Sequence, residues 1–165
     1  MTNCYRHDKI ICMKKVIASV FICLIMCFAV SLTGCDNEFA KKEYGDNEKI
    51  VQLDDRNAMY YSHFKTEEGK LTLTVKKFDG RETLWKKNLD ESTETEIRIE
   101  LSIAKGNVKV VYIDCYNDVT VLAECSHDIS NEQNVTKTIS LTNGLNRLKI
   151  VGYDCEDIDL KIFFQ

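Results

Sequence analysis

The chain has 165 residues, 44% of them apolar, with 22 basic against 26 acidic side chains, eight cysteines and no proline. That is enough for one domain with appendages. The net charge of −4 excludes a nucleic-acid partner, because a phosphate backbone repels an acidic surface and no counterions are released on contact.

In chain order, Lys14 and Lys15 come first, ahead of a run from Val16 to Val30 that only Ser19 interrupts. This has the shape of the positive n-region and apolar h-region of a secretory signal. The run closes at Leu32-Thr33-Gly34-Cys35, four residues that resemble the lipobox of a bacterial lipoprotein precursor. That resemblance implies a diacylglycerol on the Cys35 sulfur and cleavage between Gly34 and Cys35, so that residues 1–34 are removed. Two acyl chains suffice for stable anchoring, so the expected location is the extracytoplasmic face of the cell membrane. As a transmembrane anchor, Val16 to Leu32 would stand at the short limit for about 30 Å of hydrocarbon. Met13-Lys14-Lys15 has the shape of a start, and a start at Met1 with a longer leader is also compatible.

Cleavage would remove Cys4, Cys12, Cys23 and Cys27 and leave 18 basic against 25 acidic residues, a net charge of about −7. Residues 35–55 are rich in Asp, Asn, Glu and Lys, which predicts a flexible tether after the lipidated cysteine. Ile50, Val51 and Leu53 could equally open a first strand. The domain proper is expected over 56–165.

From there the apolar period is two. Leu71, Leu73 and Val75 alternate with threonines, and Ile97, Ile99, Leu101 and Ile103 alternate with polar residues, each pattern that of a half-buried strand. Further strands are expected at 82–85, 108–113, 119–124, 135–141, 145–151 and 158–164. Asp79-Gly80 and Asn143-Gly144 have the composition of two-residue hairpin turns. Turning there would set Val75 opposite Leu84, Lys77 opposite Glu82 and Ile139 opposite Leu148. About eight antiparallel strands in some 110 residues need two packed sheets, so the predicted fold is an all-β antiparallel sandwich. The stretch from Ile139 to Gly152, followed by Ile158-Asp159-Leu160-Lys161-Ile162, resembles the closing strands of jelly-roll carbohydrate-binding and galactose-binding-like modules. It is also similar to small lipoproteins of Gram-positive Firmicutes. The resemblance implies architecture, and a sugar ligand only by analogy.

Cys115, Cys125 and Cys155 remain in the domain, an odd number. A two-residue turn at Asn117-Asp118 would put Cys115 opposite Thr120 and Cys125 opposite Val110, on opposite faces, whereas a three-residue loop would reverse that parity and permit a bridge. His63, His127 and these cysteines lack the spacing of a metal site. Asp154, Glu156, Asp157 and Asp159 lack the dense aspartate loop of a calcium site. Neither a metal nor a cofactor is expected. Glu94, Glu96 and Glu100 fall on outward strand positions, and there is no nucleophile elbow, zinc helix motif or phosphate loop. The prediction is therefore a non-catalytic chain: a binding or interaction module for a cell-surface glycan or protein, with a structural envelope lipoprotein as the alternative. Trp85, Tyr60 and Tyr61 are the candidate ligand platform, since flat rings pack on the apolar faces of sugars.

Overall fold

A computed structural model describes residues 38–126 and 129–165. Two short helices, α1 (Glu38–Tyr44) and α2 (Asn47–Ile50), precede seven strands: β1 (Arg56–Glu67), β2 (Lys70–Leu89), β3 (Thr93–Ser102), β4 (Lys105–Ile113), β5 (Val119–Ser126), β6 (Glu132–Leu141) and β7 (Gly144–Phe164). The long strands β2 and β7 form the frame, paired antiparallel from Lys70 opposite Phe163 to Leu89 opposite Gly144. The free edge of β7 divides between two neighbours. Residues 159–164 pair with β3, which pairs with β6, while the stretch from Arg147 to Glu156 pairs with β4, which pairs with β5. One layer thus runs β1-β2-β7-β3-β6 and the other β2-β7-β4-β5, and the bent frame strands serve both. The antiparallel β-sandwich is as expected, with seven strands.

Side chains from both layers meet in one core, including Leu73 and Phe78 of β2, Ile99 of β3, Val110 of β4, Leu122 of β5, Ile139 of β6 and Leu148, Ile150 and Leu160 of β7. The frame can turn from one layer into the other because its pairing is interrupted between Phe78 and Gly80 and again between Thr83 and Trp85. Bulges of this kind bend a strand and raise its twist. At the first crease Gly80 has φ +108°, and a Cβ there would lie 2.1 Å from the Arg56 carbonyl oxygen. Across the crease Asp79 accepts a 2.7 Å hydrogen bond from the Asp154 amide. Asp154 and Asp157 of β7 are themselves at φ 54° and 52°.

These creases correct both expected hairpins. Asp79-Gly80 lies inside β2, so the segments 71–78 and 82–85 are one strand. Val75 faces Ile158 and Ser62, and Lys77 faces Glu156 and Tyr60 rather than Glu82. A left-handed residue serves a bulge as well as a turn, and the pairing of β2 with β1 and β7 selects the bulge. Asn143-Gly144 is a connection, but it passes from β6 in one layer to the start of β7 in the other. Ile139 therefore faces Thr95, and Leu148 faces Trp85 and Tyr112. Buried Asn146 shapes this passage, its Oδ1 accepting from the Thr142 amide at 2.9 Å and from the Tyr112 hydroxyl at 2.5 Å.

The expected tether is also corrected over its described part, since residues 38–55 form a strap folded on the outer face of β2, β7 and β4. Asp46 caps α2, its carboxylate accepting from the Glu48 and Lys49 amides. Ile50 seals a small second core with Val111, Ile113 and Val151. Three cations buried on the sheet hold the chain at and beyond the end of α2. Arg81 donates to the Lys49 carbonyl at 2.8 Å and the Gln52 side chain at 2.8 Å, and pairs with Glu43 at 3.3 Å. Lys149 donates to the Gln52 carbonyl at 2.6 Å and pairs with Asp55 at 3.0 Å. Arg147 donates to the Val51 carbonyl at 2.5 Å. A polar segment that could not order itself is ordered by charges supplied from elsewhere.

Candidate functional site

The three aromatic residues of the expected platform fall in two places. Tyr60 and Tyr61 lie on β1, whose only strand neighbour among the described residues is β2. Their rings meet edge to face with centroids 4.2 Å apart, and they are 56% and 73% exposed, with Phe64 farther along the strand at 48%. Tyr61 has φ 49°, which throws its ring out of the regular alternation. Trp85 sits far along β2. Tyr60 faces Lys77, and the eight residues from there to Trp85 span about 26 Å of strand. No single platform contains all three.

Trp85 lies where β1 no longer covers β2. The β1–β2 ladder ends at Arg56 opposite Arg81, and among the described strands the rest of β2 has only β7 beside it. The turn from α2 into β1 stands across the gap, leaving a hollow of about 540 Å³ lined by Leu53, Asp55, Thr83, Leu84, Trp85, Lys86, Leu145 and Arg147. This volume falls in the usual range for small-molecule sites, which are mostly apolar with a few placed polar groups. Trp85 is half-buried, with Phe164 tilted 32° against it at 5.6 Å. Trp85 and Phe164 also line a second hollow of about 290 Å³, with Leu71, Lys87 and Leu141. The register pairs Trp85 with Leu148 on the core side and Lys86 with Arg147 on the strap side, so Trp85 stands at the rim of the larger hollow.

The polar groups of the larger hollow are fixed from behind. Asp55 accepts from the Thr83 hydroxyl at 2.9 Å and pairs with Lys149, which is fully buried. Burial pushes the Lys149 ammonium below the ordinary lysine range while Asp55 pulls it back up. Neighbouring Glu82 is held above its ordinary range by burial and then by the Asp55 charge. Arg147 is 3% exposed. Its Nη2 donates to Asn117 at 2.6 Å, its Nη1 to Val51, and its buried Nε has no partner among the described residues.

The other candidates are placed as follows. Glu94 and Glu96 face outward, exposed, and Glu100 sits 3.5 Å from both Lys161 and Arg98, so these acids are not paired with one another. Of the acidic run, Asp157 pairs with Lys76 at 2.5 Å and Glu156 with Lys105 at 3.4 Å. Among the described residues no group of three or more His, Cys, Asp or Glu could hold a metal ion. The β4–β5 turn spans residues 114–118, and Cys125 faces Val108 rather than Val110. Cys115, Cys125 and Cys155 are free thiols. Gly34, Cys35 and His127 lie outside the described residues. Apart from Trp85, the lining of the larger hollow was missed from the sequence. Leu53 and Asp55 reach it on the strap, and Arg147 lines it from β7 beneath the strap, so none carries a local signal.

No protein-family model matches the chain, and no curated protein matches it. Among solved structures, the chain is similar to a carbohydrate-binding module of a Cellvibrio mixtus lichenase in complex with cellotriose, at 12% identity over 67% of this chain and 88% of that one, with a TM-score of 0.36. It is also similar to a family 35 carbohydrate-binding module from Clostridium thermocellum, at 10% identity over 65% and 91%, with a TM-score of 0.32. A third is a family 29 module complexed with mannohexaose, at 12% identity over 68% and 82%, with a TM-score of 0.37.

Proposed function

We propose that this chain is a non-catalytic binding module, held on the extracytoplasmic face of the cell membrane by acyl chains on Cys35, that takes a carbohydrate ring in the Trp85 hollow. The observation that carries the ligand site is the hollow itself: Trp85 at its rim, apolar residues Leu53, Leu84 and Leu145, and polar groups at Asp55, Thr83, Lys86 and Arg147. A pyranose has the same division, an apolar C–H face for the ring and hydroxyls for the polar groups. Trp85 is the only tryptophan in the chain, so its fluorescence reports on the site directly. Mono- and oligosaccharides should shift that emission saturably, and Leu145→Phe, which narrows the hollow without adding a second indole, should weaken the response. No shift with any sugar would remove the carbohydrate proposal.

The lipid anchor rests on Lys14-Lys15, the apolar run and Leu32-Thr33-Gly34-Cys35. Cys35→Ala should abolish lipid labelling and leave the precursor uncleaved by mass spectrometry, and normal processing of that variant would refute the anchor. A protein ligand is the second reading, favoured by the exposed Tyr60, Tyr61 and Phe64 on an edge strand. Tyr60→Ser with Tyr61→Ser should then weaken partner capture while leaving the Trp85 response intact.

A further inference from the structure

We infer that β1 is a self-association edge, along which two copies of this chain pair antiparallel about a two-fold axis near Ser62 and join their sheets into one. The inference is independent of the sugar site and of the anchor, and it commits the exposed rings of β1 to a second copy of the chain.

Among the described strands β1 alone has no buried residue. Of its 12 residues only Met59 is even half-buried, although the strand also carries Tyr60, Tyr61 and Phe64. Backbone pairing with β2 holds it, in one register before and after the left-handed Tyr61, since Tyr60 faces Lys77 and Ser62 faces Val75. Its outer edge has no strand beside it among the described residues. Such an edge presents a row of unpaired amides and carbonyls, and monomeric proteins guard it with charges, proline or a covering segment. Asn57 to Phe64 carries no Asp, Glu, Lys, Arg or Pro. Strands β5 and β6 also have one strand partner each, but they are bridged to one another, Lys137 of β6 donating to the Val121 carbonyl of β5 at 3.1 Å.

The charges of β1 lie at its ends and differ in sign. Arg56 opens the strand, and its side chain stays 59% exposed beside Glu43. At the other end Lys65 pairs with Glu67 at 2.6 Å, and Glu68 follows in the turn, which makes that end net negative. In an antiparallel pair about a two-fold axis, the Arg56 end of each copy lies beside the Glu67-Glu68 end of the other. One surface is then its own complement, as an isologous contact requires. A parallel pair would set like ends together, which opposes pairing. The uncharged middle meets itself, where main-chain hydrogen bonds hold the two strands and the rings of both copies gather near the axis.

The test uses the full chain in detergent. Ser62→Cys, treated with a short bismaleimide and digested with trypsin, should yield a peptide linked through residue 62 of two copies. Thr120→Cys, exposed on β5, should yield no such link through residue 120. Light scattering after gel filtration should give a dimer. Ser62→Lys, which places a charge in the middle of the edge, should shift it to a monomer with circular dichroism and Trp85 emission unchanged. Glu67→Lys combined with Glu68→Lys should weaken the dimer in the same measurement. A monomeric chain with no link through residue 62 would overturn the inference and leave the sugar site standing. A dimer that Ser62→Lys leaves intact would overturn it as well, because the contact would then lie on another surface. With Ser62→Cys crosslinked in cells, a link to a different protein in place of the link between copies would overturn it in favour of a foreign strand.

Discussion

Gly80 is the residue on which the bend of the frame depends. Its φ of +108° is strained for any L side chain, and a Cβ would meet the Arg56 backbone oxygen at 2.1 Å. Because that obstacle is backbone, relief requires shifting β1 as a whole. Gly80→Ala is expected to cost on the order of 2 kcal/mol or more in urea denaturation. Titration of the thiols is a second consequence at this scale. Burial pushes Cys125 up to about 11 and Cys155 up to about 12, so both stay protonated in the fold while unfolded thiols ionise near 9. Their contribution to stability is therefore whole below pH 9 and is lost as pH rises toward 11 to 12. Equilibrium unfolding should show that loss, and Cys125→Ala should flatten it. At pH 8, in a chain starting at Asn37, half-buried Cys115 should react with Ellman's reagent at once, and Cys125 and Cys155 only after denaturant is added.

Among the elements, the strap makes the strongest prediction. Arg81→Met strips buried Glu43 of one of its two cationic partners and leaves the Lys49 carbonyl and Gln52 side chain without a donor. The expected loss is about 3 kcal/mol in urea denaturation, with new proteolytic cuts near residues 45–55, and adding Glu43→Gln should recover part of it. The same element shows why some of the fold could be read from the chain and some could not. Alternation within 71–75 and 97–103 is a local property, so those strands were legible. The strap is polar, and the cations that order it lie about 30 to 100 residues away. Strand β1 was missed because nearly every residue of Arg-Asn-Ala-Met-Tyr-Tyr-Ser-His-Phe-Lys-Thr-Glu is exposed, leaving no buried face to set a period. Both Asp79-Gly80 and Asn143-Gly144 correctly marked positive φ. What each did with it was decided by which strand lay alongside. In the candidate site, Trp85 was legible as a rare ring at a strand position, whereas Arg147 carries no such signal, because the strap that buries it lies about 100 residues away in sequence.

At the scale of the whole molecule, the two layers are hinged on strands they share as well as joined by loops. Damage to the frame should therefore propagate to both, and the unfolding of the 37–165 unit should be a single cooperative step by fluorescence and circular dichroism alike. The strap has a further consequence once the anchor proposed at Cys35 is added. Helix α1 begins at Glu38, so only Asp36 and Asn37 separate the folded domain from the acylated cysteine, a reach of at most about 11 Å. A long tether would let a module sweep the envelope for its ligand. With the proposed anchor in place, so short a link would hold the domain near the lipid headgroups, and its ligand would have to come down to the membrane or be presented there.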